Sequence, residues 1–321
     1  MARWRKIGLL FDISKILNRP EWFFEYTQAP NVVDMGDFLR IYFSTRGRRD
    51  TSGNYVSLST FVDLKSIEPL VIKEVSFDPI LDLGEPGCFD EHGIYPISVL
   101  RETNRFLGVY GGWSRCESVP FDVAIGLASS VDGRKFSKHG TGPILAANEM
   151  EPFVIGSPKL RFFKDKYYLT YIAGREWTIE NGRPEIYYKL RMASSENCIE
   201  WKRFDKDIIA DRIGPREAQA CGDIFEKNGN FHMWFCFRNH VDFRENRINS
   251  YRIGYARSEN LIDWERMDIE LGLDVSETGW DSQSVSYPNV FSFRDQIYML
   301  YLGNHIGRNG FGIAKLSGEL E

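Results

Sequence analysis

No two cysteines in this chain are spaced as a zinc ligand pair, and no stretch is apolar enough to cross a membrane as a helix. The five cysteines (Cys88, Cys116, Cys198, Cys221 and Cys236) include no CxxC, and any pairing leaves one over. That usage reads as reduced thiols in a cytoplasmic protein. No apolar run reaches the ~18 residues a spanning helix needs. The N-terminus, MARWRKIGLLFDISK, carries basic residues, but its apolar run GLLF is too short for a secretory core. A glycine-rich phosphate loop, a nucleophile elbow and a Ser-His-Asp order are all absent, as are the H-x-H and HExxH spacings of metal sites. The expectation is therefore no metal and no cofactor. The net charge of −5 argues against nucleic acid as a general partner. Lysine is scarce beside arginine, 14 against 26.

What the chain does have is one strand pair written five times. QAPNVVDMGDFLRIYFS recurs as IYPISVLRETNRFLGVYGG, GSPKLRFFKDKYYLTYIAG, ACGDIFEKNGNFHMWFCF and SYPNVFSFRDQIYMLYLG. The anchors Pro30, Pro96, Pro158, Gly222 and Pro288 lie 66, 62, 64 and 66 residues apart. An aromatic follows each anchor by 13 or 14 residues: Phe43, Tyr110, Tyr171, Phe235 and Tyr301. Each unit reads as a short apolar strand, a polar turn such as Lys227-Asn228-Gly229, and an aromatic alternating strand, which is a hairpin. Proline suits the first strand position, where no ladder donor is needed. A fixed long period means a repeat architecture.

A second motif closes the unit. ASSVDGRKF, ASSENCIEW and ARSENLIDW each place an aromatic eight residues after an alanine. The spacing predicts a third strand, a turn, and a fourth strand opening on Phe136, Trp201 or Trp264. Four antiparallel strands per unit make a propeller blade. The fold class is therefore all-β, a five-bladed β-propeller in a single domain, with a β-sandwich as the rival. Blades are expected at about 22–80, 85–148, 150–212, 215–272 and 280–321. The fifth unit ends after its third strand, FGIAKL, so the N-terminal strand (about 4–11) is expected to complete that blade and close the ring.

Five units with a Pro-led inner strand and an Ala-x-Ser-x(5)-Trp outer motif resemble the five-bladed glycoside hydrolases. These include the arabinanase/xylosidase, invertase/levanase and mannoside-phosphorylase groups. The resemblance implies acid/base cleavage of glycosidic bonds. In the arabinanase-like group a general-base Asp sits just before the first anchor, where this chain has Ala29. The group's general-acid Glu lies close before the fourth anchor. Here Ala220 holds the place where the Glu might be expected, and the nearest acid is Glu217. The third-blade Asp that tunes the acid has no match near Gly156-Ser157-Pro158.

Strand direction places the residues before each anchor on one face of the ring, together with the loops after each second strand. Gln28, Asp90, Glu91, His92, Glu217 and Asp281 fall in the first set; Glu25, Glu91 and Glu217 each stand five before their anchors. The loops 44–54, 112–121, 174–186, 238–250 and 303–310 hold ten arginines and no lysine. Among them are Arg46, Arg115, Arg175 and Arg238. Arginine's rigid fork fits carboxylate and phosphate bidentately. A small anionic carbohydrate is the ligand expected, with neither membrane nor nucleic acid as partner. The alternative is that these arginines brace the loops through neighbouring glutamates.

Glycoside cleavage needs two carboxylates, ~5–5.5 Å apart for retention or ~6.5–9.5 Å for inversion. Glu91 and Glu217, on opposite sides of the five-fold ring, form the expected catalytic pair, at a separation that suits inversion better than retention, with Asp90 or Asp281 as replacements. Their bland readings are a loop carboxylate bonding backbone amides for Glu91 and an arginine's partner for Glu217. His92, His240 and His305 are candidate ligand contacts, and Trp113 is a candidate stacking platform. A non-catalytic propeller that binds a sugar, nucleotide sugar or protein is the competing reading, with glycosyl transfer or phosphorolysis as variants.

Overall fold

The structure, a computed structural model, describes residues 2–320. Twenty strands follow the predicted order. The first, β1 (Arg3–Asp12), stands alone before the repeats. The first unit is β2 (Glu25–Asp34), β3 (Leu39–Arg46), β4 (Ser57–Ser66) and β5 (Val71–Val75). The second is β6 (Gly93–Arg101), β7 (Phe106–Ser114), β8 (Asp122–Ser130) and β9 (Ser137–Lys138). The third is β10 (Ile155–Phe163), β11 (Lys166–Glu180), β12 (Arg183–Ser195) and β13 (Lys202–Arg203). The fourth is β14 (Ala218–Lys227), β15 (Asn230–Arg238), β16 (Arg252–Ser258) and β17 (Glu265–Arg266). The last has β18 (Ser286–Phe293), β19 (Gln296–Leu302) and β20 (Gly310–Ser317). Its fourth strand is β1, paired antiparallel to β20 from Arg3–Ser317 to Asp12–Gly310. The first two units share a single parallel pairing, Ser57 with Gly93, and otherwise keep their own four strands.

The inner strands β2, β6, β10, β14 and β18 touch in cyclic order, and β18 returns to β2. Side chains clasp neighbouring units at each step. Asn31 Oδ1 accepts from Val99 N (2.6 Å), and Ser98 Oγ accepts from Leu160 N (3.1 Å). Arg161 Nε donates to Ile224 O (3.0 Å), Asp223 Oδ2 accepts from Val290 N (2.6 Å), and Asn289 Oδ1 accepts from Val32 N (2.7 Å). Asn31, Ser98, Asp223 and Asn289 are buried, and there each lost bond would leave an unsatisfied amide.

Outer strands are shorter than the sequence motif implies. Those of the second, third and fourth units run only two residues and begin after Phe136, Trp201 and Trp264. Short edge strands limit the unpaired backbone offered to another chain. The serine of the motif sets the turn before them. Ser130, Ser195 and Ser258 Oγ each accept from two successive amides, as Ser195 does from Asn197 N (3.2 Å) and Cys198 N (2.9 Å). Asp132, Asn197 and Asn260 then accept from the amides that follow. Such Ser and Asx caps hold a turn with local bonds alone.

Every inner strand breaks register at its anchor: between Gln28 and Asn31, Ile94 and Ile97, Gly156 and Lys159, Ala220 and Asp223, and Ser286 and Asn289. A bulge re-aims the side chain it carries. Ala29, Ser157, Cys221 and Tyr287, each just before its anchor, have φ between 50° and 55°. For residues other than glycine this backbone is strained, and such strain gathers at functional positions. Among the described residues no helix is long and apolar enough to cross a membrane.

Candidate functional site

Four of the acids nearest the anchors hold the units together. Asp90 accepts from the hydroxyl of Tyr110 (3.0 Å) and pairs with Lys138 on the outermost strand β9 (2.6 Å). Asp281 accepts from Tyr301 (3.0 Å) and pairs with Lys6 on β1, the outermost strand of its own unit (2.8 Å). Glu151 accepts from Tyr171 (3.1 Å) and pairs with Arg203 on β13. The acid and tyrosine are 20 residues apart in all three units. In the fourth unit Glu217 pairs with Arg266 on β17 (2.6 Å) and accepts from the amides of Arg212 and Ile213 (3.0 Å each). In the first unit Phe23 packs on Phe43, again 20 residues on, with ring centroids 5.9 Å apart. All four carboxylates are 1–2% exposed, and none lines the cavity described next.

Glu91 is likewise engaged at its loop. It accepts from Gly87 N (2.8 Å) and stands 3.3 Å from His92 Nδ1. His92 stacks on Trp113 and supports the loop at Arg115 from behind. Arg175 pairs with Asp207, and His240 packs edge-on against Tyr187. Burial, with help from the charge of Arg216, lowers the His240 pKa. Glu91, His92, Arg175 and His240 are not among the cavity's walls.

The mouth of the ring is a cavity of about 830 Å³, within the usual size of a small-molecule site. Gln28, Arg46, Trp113, Arg115, Arg238 and His305 line it together. Arg49, Arg183, Arg244, Arg247 and Arg308 join them, which gives eight guanidinium groups, no lysine, and two acids, Glu185 and Glu245. Glu185 is tied to Arg244, and Arg308 pairs with Glu25 (3.0 Å).

Arg238 is the most confined of these cations. It ends β15 and is 3% exposed, with the ring of Phe243 3.6 Å from its guanidinium carbon. It donates to Asn239 O (2.8 Å), and to Ile186 O and Tyr188 Oη (both 3.3 Å). Its Nε has no partner, and no carboxylate lies within ion-pair distance among the described residues. A buried charge without a counter-ion is costly, and a bound anion would remove the cost.

The floor is phenolic. Tyr188 and Tyr251 share a hydrogen bond (2.7 Å), Tyr251 packs on Tyr287 (6.4 Å between centroids), and Tyr287 packs on Tyr95 (6.1 Å). Burial first of all raises the pKa of Tyr95, Tyr251 and Tyr287, so these hydroxyls stay protonated. Sequence reasoning passed over this band. Its signal was Tyr-Pro before two anchors, Tyr95-Pro96 and Tyr287-Pro288, where the bulge turns the tyrosine toward the cavity. No cluster of three or more His, Cys, Asp or Glu able to hold a metal occurs among the described residues.

An uncharacterised protein of Mycobacterium tuberculosis, Rv1502, is 33% identical over 317 residues, which cover 98% of this chain and 99% of that protein. The chain belongs to the Rv1502 family. The same protein in a second strain matches equally, and no protein-family model matches. Solved structures of glycoside hydrolases share the fold of this Rv1502-family chain. One, described only as a glycoside hydrolase, has a TM-score of 0.74 at 15% identity and covers 98% of this chain and 92% of its own. A structure described as a putative glycoside hydrolase of Parabacteroides distasonis gives 0.69 at 15% identity, covering 99% and 97%. An exo-1,5-alpha-L-arabinanase from a bovine ruminal metagenomic library gives 0.62 at 10%, covering 95% and 97%. These likenesses establish the fold of this chain.

Proposed function

We propose that this protein is a glycosidase-like, carbohydrate-active protein of the cytoplasm whose mouth takes an anionic sugar, phosphorylated or carboxylated. The observation that carries the reading is Arg238, a buried guanidinium that faces the cavity without a carboxylate partner. The excess of arginine over acid along the same wall supports it, and so does the fold shared with glycoside hydrolases. The phenol floor offers neutral donors to sugar hydroxyls. Glu185 and Glu245 are the acids that face the ligand. They would supply acid/base chemistry in place of Glu91 and Glu217.

The test is turnover and binding of aryl glycosides of phosphorylated sugars and of uronic acids. Wild type should bind them in preference to neutral glycosides and cleave at least one. Glu185→Gln or Glu245→Gln should lower turnover by roughly 10²–10⁴ while binding persists. A second reading, binding without cleavage, is favoured by the engagement of Glu185 with Arg244. Binding with no turnover in wild type selects it. Equal affinity for neutral and anionic sugars rules out the anionic reading.

A further inference from the structure

We propose that the mouth holds two anionic groups of one ligand at once, at two guanidinium clusters on opposite sides of the ring, so that the substrate is a sugar charged at both ends. The inference rests on the anionic reading above and goes beyond it in fixing number and spacing.

The first cluster surrounds Tyr55, on the loop between β3 and β4. Arg46 and Arg49 lie over its ring, at 4.3 and 4.6 Å, and Arg115 donates to its carbonyl oxygen (3.1 Å). The second surrounds Phe243, on the loop after β15. Arg238 and Arg244 lie over that ring at 3.6 and 4.2 Å, and Arg247 lines the cavity beside them. In each case an aromatic face holds the cations in place, and most of their hydrogen bonds go to neutral oxygens rather than to carboxylates. Each cluster also contains one buried Nε without a partner, that of Arg46 in the first and of Arg238 in the second.

Between them lies the tyrosine band. Steps of 6.1 and 6.4 Å separate the rings of Tyr95, Tyr287 and Tyr251, and only then does the band reach Tyr188, which bonds Arg238. One tetrahedral anion reaching out by charge-assisted bonds of about 2.8 Å does not span that distance. A sugar ring lying on the phenols, with an anion at each end, does. The acids on the cavity wall leave most of both clusters uncompensated: Arg244 has Glu185, while Arg46, Arg49, Arg115, Arg238 and Arg247 have no carboxylate in ion-pair range among the described residues. A ligand with a single charge would neutralise one side only.

The test uses the full chain and three probes: inorganic phosphate, a hexose monophosphate, and the matching hexose bisphosphate. Crystals soaked in phosphate should show one ion at each cluster. By calorimetry the bisphosphate should bind at least about tenfold more tightly than the monophosphate. Arg46→Gln and Arg238→Gln should each lose one phosphate ion and bring the bisphosphate down to the monophosphate's affinity. Arg115→Gln and Arg247→Gln, at less buried positions, are the companion variants, with melting temperature as the control for folding. One phosphate per chain, with equal affinities for the two sugars, overturns the two-anion proposal and leaves the anionic reading standing. No phosphate at either cluster and no binding of any probe overturns the two-anion proposal, and failure of the uronic-acid glycosides to bind as well overturns the anionic reading with it.

Discussion

His232 is the fully buried histidine, and its charge state bears on stability. It sits on β15, its Nδ1 lies 2.7 Å from Tyr255 Oη, and its Nε2 has no partner. Burial, followed by the charge of Arg257, lowers its pKa from 6.5 to about 4. In the unfolded chain it takes a proton near pH 6.5; in the folded chain it does so only near pH 4. The unfolded state therefore binds more protons between these values, and acid pulls the equilibrium toward it. Its contribution is complete above pH 6.5 and falls on acidification to about pH 4, at up to roughly 1.4 kcal/mol per pH unit. Subtracting the pH–stability curve of His232→Phe from that of wild type should isolate this slope. Parallel curves across the window would mean that His232 titrates alike in both states.

At the scale of the element, the unit is a hairpin clamped by an acid. The acid before the inner strand reaches past the second strand's tyrosine to a cation on the outermost strand, in the second, third and fifth units. The fourth unit keeps the cation but has Phe235 in place of tyrosine, and its acid sits two residues later. The first drops the charge altogether for Phe23. Asp90→Asn should expose the role. It leaves the Lys138 ammonium, mostly buried, without its counter-charge. Breaking such a pair costs about 3–5 kcal/mol, which urea denaturation would register, with ligand affinity unchanged. Unaltered stability with lost binding would return Asp90 to the site.

The same clasps explain how far the sequence could be read. The anchors, the serine-capped turns and the missing last strand are local patterns tied to backbone needs, and each could be read directly. The arginine loops could be read because strand direction alone decides which rim they join. The acids could not. Glu25, Glu91 and Glu217 share a place in their repeats, and that equivalence by itself predicts convergence on the axis. Position fixes the rim but not whether a side chain turns up to the mouth or down into its own unit. A residue type repeated in unit after unit serves what the units share, which is the scaffold. The mouth is made where the repeats differ: an arginine 16 residues after the anchor occurs in two units, as Arg46 and Arg238, and a tyrosine just before the anchor also in two, as Tyr95 and Tyr287.

At the scale of the whole molecule, closure of the ring depends on the ten residues of β1. They cover the edge of β20 along its length. Phe11 stacks on Phe311 of the same unit and reaches Phe43 of the first, with centroids 5.5 Å apart in both cases. Trp4 packs edge-on against Trp234 of the fourth unit at 5.4 Å. Lys6 supplies the cation to Asp281. One strand thus completes its own sheet and seals it to both neighbours, so the ends of the chain hold the two sides of the mouth at a fixed separation. Deleting residues 2–12 should expose β20 as an unpaired edge, lower the melting temperature, and produce concentration-dependent association, visible by light scattering. A synthetic peptide of the same residues should reverse all three changes. Loss of the seal should also loosen the spacing between the Tyr55 and Phe243 clusters, so the bisphosphate's advantage over the monophosphate should shrink even where the truncated chain stays folded. A truncated chain that remains monomeric, melts at the wild-type temperature and keeps that advantage would show that the other four units hold the ring without it.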